Sequence, residues 1–163
     1  MAMAAMPAIG HATQDAAPAA PVPAPATPAP ATGTIQQLFE QSTQATEAAD
    51  YPRALEILTA LEGRVVRNPR SLAIVRVRKA MVLAELSRWA EARDLLNQAA
   101  PALPRDDASL STDRYRAAYT LGRVSMGDLD YVGALAHFSA ALAEAEGPAA
   151  RIQALLGQAQ SGT

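Results

Sequence analysis

Cysteine is absent from all 163 residues of the chain, which excludes disulfides, thiolate metal sites and cysteine nucleophiles together. The two histidines, His11 and His137, have no further metal ligands placed near them in sequence, so neither points to a metal centre. A formal net charge of −2 gives no electrostatic case for nucleic acid. No stretch approaches the roughly 20 apolar residues that a membrane-spanning helix needs. A glycine-rich phosphate loop, a serine in a nucleophile elbow and a Cys/His pair are all missing as well. Asp128 and Asp130 have the look of a carboxylate pair, yet they fall at a helix junction where capping explains them. Asp106 and Asp107 belong to a loop expected to be mobile. The chain is therefore expected to be no enzyme and to carry no cofactor.

A hydrophobic share of 50% with 18% charged residues fits one globular helical domain with a tail. The tail is residues 1–33. Seven prolines (Pro7, Pro18, Pro21, Pro23, Pro25, Pro28, Pro30) lie there, mostly alternating with alanine, and Asp15 is its charged residue. Proline at that density blocks helix hydrogen bonding and holds its neighbours extended, so a disordered, semi-stiff linker is expected. Ahead of it, a short apolar run closes on Gly10-His11-Ala12, with small residues where a signal-peptide cleavage site needs them. No basic residue precedes that run. Export to the periplasm and a plain cytoplasmic tail are both open readings.

From Thr34 onward helix formers take over. Thr34-Ile35-Gln36-Gln37 has the form of a capping box, and Asp50-Tyr51-Pro52 places a cap and a first-turn proline at the start of a second helix. Asp130-Tyr131-Val132-Gly133-Ala134-Leu135 repeats the pattern of Asp50-Tyr51-Pro52-Arg53-Ala54-Leu55. Between them Asn68-Pro69 stops a helix. Ile74, Val77, Ala80, Met81 and Ala84 then follow at three- and four-residue steps. Trp89 stands where Tyr51 and Tyr131 stand, and Ala54, Ala92 and Ala134 are equivalent small residues. Gly122 and Ala134 are read as the close approach of two helices, with Leu121, Phe138 and Leu142 filling the space around it.

Leu121-Gly122, Asp130-Tyr131, Ala134, Phe138, Ala141-Leu142 and Pro148 together resemble a tetratricopeptide repeat (TPR). Weaker copies cover about 35–67 and 71–103, the clear one spans 112–148, and a partial fourth occupies 149–163. The spacings from Ala54 to Ala92 and from Ala92 to Ala134 exceed the family's 34 residues, and the segment around Pro101–Asp107 is the expected extra loop. The leucine-glycine pair is clear at Leu121-Gly122, whereas Lys79-Ala80 and Gln41-Ser42 stand at its other places.

The resemblance implies an all-α, right-handed α-solenoid of helix-turn-helix repeats that acts as a non-catalytic protein-interaction scaffold. Its first helices would line a concave groove for a peptide or helix. Partner-binding positions would include Phe39, Val77, Met81, Arg116, Tyr119, Arg123 and Met126, with Gln36, Thr43 and Ile74 beside them. Phe39, Val77 and Met81 equally suit packing between repeats. Arg116 and Arg123, seven apart on one helix face, are expected to pair with a carboxylate. The charged clamp of chaperone-binding members is not reproduced, since Phe39 and Thr43 take the places of its lysine and asparagine.

Two other readings stand beside this one. The chain would be the regulatory repeat region of a larger enzyme such as a caspase-like protease. Alternatively, the basic stretch Arg64, Arg67, Arg70, Arg76, Arg78 and Lys79 would form a patch for an acidic partner, with nucleic acid the weaker choice. After Pro148, Ile152, Leu155 and Leu156 give the last helix an apolar side and Gly157 a place for a partner helix. Either the chain is a fragment or that helix binds something, a second copy included.

Overall fold

The computed structural model describes residues 31–162, so the Gly10-His11-Ala12 site and the proline-rich run lie outside the described residues. The last three residues of the tail are part of the folded edge. Ala31 packs on the first hydrophobic cluster, and the Gly33 carbonyl accepts a hydrogen bond from Arg64.

Thr34 opens α1 (Ile35–Glu47). Its hydroxyl accepts from the Gln37 N–H at 3.2 Å while the Gln37 side-chain oxygen accepts from the Thr34 N–H at 2.8 Å, the reciprocal closure expected of a capping box. Six further helices follow among the described residues: α2 (Tyr51–Val65), α3 (Pro69–Glu85), α4 (Trp89–Ala99), α5 (Ser111–Gly127), α6 (Tyr131–Glu144) and α7 (Gly147–Ser161). All regular secondary structure among the described residues is helical.

The turns inside the hairpins α1/α2, α3/α4 and α5/α6 share one hydrogen-bond pattern. Ala49, Ser87 and Leu129 adopt left-handed φ values of 57°, 56° and 61°. The following N–H groups, of Asp50, Arg88 and Asp130, reach back to the carbonyls of Ala45, Leu83 and Ser125 at 2.8, 2.9 and 2.8 Å. This is the paired closure that satisfies the last carbonyls of a helix. The same residue then caps the next helix: Asp50 accepts from the Arg53 N–H and Asp130 from the Gly133 N–H, whereas Arg88 has no oxygen to offer and makes no side-chain cap.

Asn68-Pro69 is a correction to the sequence reading, because it starts a helix rather than merely stopping one. The Asn68 side chain accepts from the Ser71 N–H at 3.0 Å, and Pro69 occupies the first turn, where a missing N–H costs nothing. The long connection from α4 to α5 is also more ordered than expected. It holds two 3-10 turns, Ala100–Ala102 and Ala108–Leu110. Asp107 caps the second and meets Arg70 at 3.1 Å, while Leu103 and Leu110 are buried.

Helix α3 is the central element. It sends Val75 and Val82 into a cluster with Leu38, Leu58 and Leu61 of α1 and α2. Its Ala73, Val77, Ala80 and Leu83 enter a second cluster with Ala92 and Leu96 of α4 and Val124 of α5. Burial of each large apolar side chain stabilises by about 1.5–3 kcal/mol, so α3 ties the two clusters into one body. Small residues set the close crossings. Ala54, Ala92 and Ala134 are each 0% exposed, and a Cβ on Gly122 would lie 2.6 Å from the Phe138 ring. Gly157 of α7 meets the same ring edge at the same distance, which makes α6 the partner helix that its glycine expected.

Candidate functional site

Helices α1, α3 and α5 meet around a cleft of about 140 Å³. Ser42, Thr43, Thr46 and Glu47 of α1 form one wall, Arg78, Met81 and Val82 of α3 the other, with Leu58 from α2 and Arg116 from α5. Two further depressions adjoin it through shared lining residues. Phe39, Glu40 and Gln44 extend it past Thr43 and Arg78, and Tyr115, Glu146 and Ala150 extend it past Arg116 towards α7.

Arg78 organises the cleft. Its guanidinium lies over the Phe39 ring, 5.1 Å from the centroid, and Nη1 donates to the Thr43 hydroxyl at 3.0 Å. That hydroxyl donates in turn to the Phe39 carbonyl at 3.0 Å, so α1 fixes the guanidinium from two sides. The Arg78 Nε is buried with no hydrogen-bond partner, and no carboxylate lies within ion-pair distance among the described residues. Burial is the main cause that pushes its pKa below the ordinary arginine value; the charge of Arg116 pushes the same way and Asp113 partly offsets it. The other arginines and the lysine that are half-buried all have acidic partners. Arg53 bonds Glu56, Arg76 and Lys79 share Glu62, Arg93 meets Asp128, Arg114 meets Glu144, Arg116 meets Asp113 and Arg123 meets Glu85. A desolvated guanidinium without a countercharge favours an anion beside it, since charge-assisted bonds strengthen as water is excluded.

The expected binding residues divide. Phe39, Met81 and Arg116 line the cleft or its extensions, as does Thr43. Val77 does not: it is 0% exposed inside the α3–α4 cluster, because its direction on α3 points it at α4, so it leaves the partner-facing set. Ile74 packs on that same cluster, and Gln36 is exposed on α1. Tyr119 is half-buried between Tyr115 and Phe138, with ring centroids at 5.9 and 5.5 Å. Met126 is half-buried near the end of α5. Arg116 and Arg123 do not converge on a shared anion, since each already has its own carboxylate, Asp113 at 3.2 Å and Glu85. Glu85 also raises the Arg123 pKa through its hydrogen bond, against a smaller opposing effect of burial.

The basic run 64–79 is not one patch. Arg76 and Lys79 turn to Glu62 on α2, Arg70 to Asp107, Arg64 to the Gly33 carbonyl and Arg78 into the cleft. Sequence reasoning counted Arg78 within that run and missed its separate role. The available signal was its spacing of three and four residues from Met81 and Val82, apolar neighbours on one helix face that line the cleft with it.

Asp128 pairs with Arg93 and Asp130 caps α6, which accounts for that carboxylate pair. Burial pushes the His137 imidazole below its ordinary value, with Asp130 opposing and Arg93 reinforcing the shift. Among the described residues no cluster of three His, Asp or Glu side chains is placed to hold a metal ion, and no helix is long and apolar enough to cross a membrane.

Compared with known proteins, the chain matches no protein-family model and no curated protein. The cleft's own chemistry is a fixed guanidinium, two hydroxyl-bearing turns and walls of Met81, Val82 and Leu58.

Proposed function

We propose that this chain is a non-catalytic protein-interaction module that takes an extended peptide or a helix bearing an acidic group on its α1–α3–α5 face. In this reading the three hairpins are TPR-like units stacked as a right-handed solenoid, and the cleft is a stretch of its inner wall. The observation that carries the proposal is Arg78, a half-buried cation held by Phe39 and Thr43 with no carboxylate partner among the described residues. A partner carboxylate would supply the countercharge that this guanidinium lacks, and Met81 and Phe39 would flank the ligand with the soft, apolar surface common at protein interfaces. Arg116, adjacent to Arg78 but tied to Asp113, would reinforce the positive potential without competing for the same bond. Glu47 also lines the cleft, so the favoured ligand presents its acid towards Arg78 and away from the end of α1.

The test is fluorescence anisotropy with labelled peptides in matched pairs, one member carrying Asp or Glu and the other Asn or Gln at the same places. Acidic members should bind more tightly, and Arg78→Met should remove the preference. A charge-assisted hydrogen bond contributes about 1.5–3 kcal/mol, which corresponds to a loss of about tenfold or more. R78M should melt no lower than the wild type, because the removed group leaves no new orphan and Thr43 keeps its bond to Phe39. Equal affinities for both members of each pair, or an acid preference that survives in R78M, would defeat the proposal.

A further inference from the structure

Two guanidiniums line the cleft, Arg78 of α3 and Arg116 of α5, and they are not equivalent. Arg78 meets an aromatic ring and a hydroxyl but, among the described residues, no carboxylate. Arg116 is tied one turn back along its own helix, where its Nη1 donates to the Asp113 carboxylate at 3.2 Å. The three charges act on one another. After burial, it is the Arg116 charge that lowers the Arg78 pKa and Asp113 that opposes it.

Asp113 is 8% exposed, the one acidic residue that is buried among the described residues. Burying a carboxylate is costly unless a cation meets it, and Arg116 is the cation that meets this one. Its place in the first turn of α5 suits the positive end of the helix dipole. That accounts for an acid at this position, but the dipole acts equally on a solvated one and does not call for burial beside a pair of arginines.

The consequence is a charge count. Asp113 cancels one of the two positive charges, so the inner part of the cleft has room for one negative charge. Glu47, exposed on the α1 wall, is hydrated and opposes any further one. A carboxylate brings a single charge. A phosphoryl group brings about −1.5 to −2 at neutral pH, and its additional charge would find Arg116 engaged and Asp113 repelling it in a partly desolvated place where such repulsion is strong.

We propose that Asp113 sets the charge this cleft accepts: by engaging Arg116 it leaves Arg78 to a single carboxylate and disfavours a phosphorylated peptide. Asp113 is a positioning residue, since it acts on the ligand through Arg116. The inference rests on the cleft's being a receptor for an acidic peptide and goes beyond that reading by naming the acid, a carboxylate of a side chain or of a chain end.

Fluorescence anisotropy on the full chain, with labelled peptides that differ at one position, tests the proposal. The position holds Asp, phosphoserine or Asn in C-terminally amidated peptides, and a further Asn peptide keeps its free terminal carboxylate. The wild type should bind a carboxylate peptide about tenfold or more tightly than the phosphoserine one, the worth of a charge-assisted bond; tight binding of the free-ended Asn peptide assigns the carboxylate to a chain end and supports the proposal equally. Asp113→Asn keeps the shape and an acceptor for Arg116 but removes the charge. In D113N the phosphoserine peptide should gain about tenfold relative to the carboxylate peptides, and Arg116→Met added to D113N should withdraw that gain. A variant that merely loosens α5 weakens all the peptides alike, so the ratio reports the charge and not the folding. A ratio unchanged in D113N, or a wild type that prefers phosphoserine, overturns the proposal. Acidic peptides that bind the wild type no more tightly than the amidated Asn peptide overturn the acid-receptor reading itself, and this inference with it.

Discussion

Replacing Gly122 by alanine places a methyl group 2.6 to 2.8 Å from three carbons of the Phe138 ring. Carbon contacts settle near 3.5–4.0 Å, so the ring or the helix must move by about 1 Å. Phe138 is 2% exposed and its ring also meets Gly157 and the edge of Tyr119, which leaves it little room to retreat. Overpacking of this kind costs about 1–3 kcal/mol. Alanine recovers about 1 kcal/mol of helix propensity, so the net change is a loss of up to about 2 kcal/mol. Gly63 provides the contrast: a Cβ there meets nothing within 4 Å, and Gly63→Ala should stabilise by up to about 1 kcal/mol from propensity alone. Urea unfolding followed by far-ultraviolet circular dichroism should therefore show G63A above the wild type, and G122A and G157A below it, with similar slopes. Phe138→Leu should cost less in the G122A background than in the wild type, because the smaller side chain relieves the clash. If G122A gains stability as G63A does, or if the double-mutant cycle shows no coupling, the helices do not cross on this glycine as described.

The left-handed residues offer a second check. Leu129 is 70% exposed with φ 61°, so Leu129→Gly loses little burial and relieves a backbone strain of about 1–2 kcal/mol, partly offset by glycine's greater unfolded-state freedom; a small rise in melting temperature is expected, and a fall would show that the turn is not as described. Glu62 gives the pH dependence. Burial raises its pKa, but hydrogen bonds from Lys79 and Arg76 outweigh this and hold it below the ordinary carboxylate range. A depressed folded-state value means that the stability it contributes is complete above the unfolded-state pKa and lost as pH falls through the lower folded one. Glu62→Gln should lower the melting temperature at neutral pH and converge with the wild type in acid, measured by melting curves across that range.

What the sequence made legible was punctuation. Thr34 with Gln37, Asp50 with Pro52 and Asp130 each announce a helix start because the capping oxygen acts within three residues of itself, a local interaction that no distant packing has to supply. The α7 stripe was legible for a related reason: among the described residues α7 packs on one side only, against α6 and α5, so the pattern of its other face stays simple. Helix α3 was not legible in this way. It packs on two clusters at once, so apolar residues appear nearly all round it, at Ala73, Val75, Val77, Ala80, Val82 and Leu83. A spacing of three and four then selects no unique face, and Val77 and Arg78 exchange roles: the apolar residue turns inward to α4 and the basic one turns into the cleft.

The exchange has a physical cause that reaches beyond one position. A helix enclosed on two sides retains only narrow strips of surface, and a charged residue on such a strip is desolvated by its neighbours unless a carboxylate meets it. Glu62 does this for Arg76 and Lys79 on one strip, whereas on the other Arg78 finds an aromatic face and a hydroxyl instead. Mutating Thr43 to valine should therefore act on binding more than on folding. It removes the bond that orients the guanidinium yet keeps the volume of the wall, so acidic peptides should bind several-fold more weakly while the melting temperature changes little. If T43V lowers stability as much as affinity, the Thr43–Arg78 contact belongs to the core, and Arg78 is a packing residue rather than a receptor for an acid.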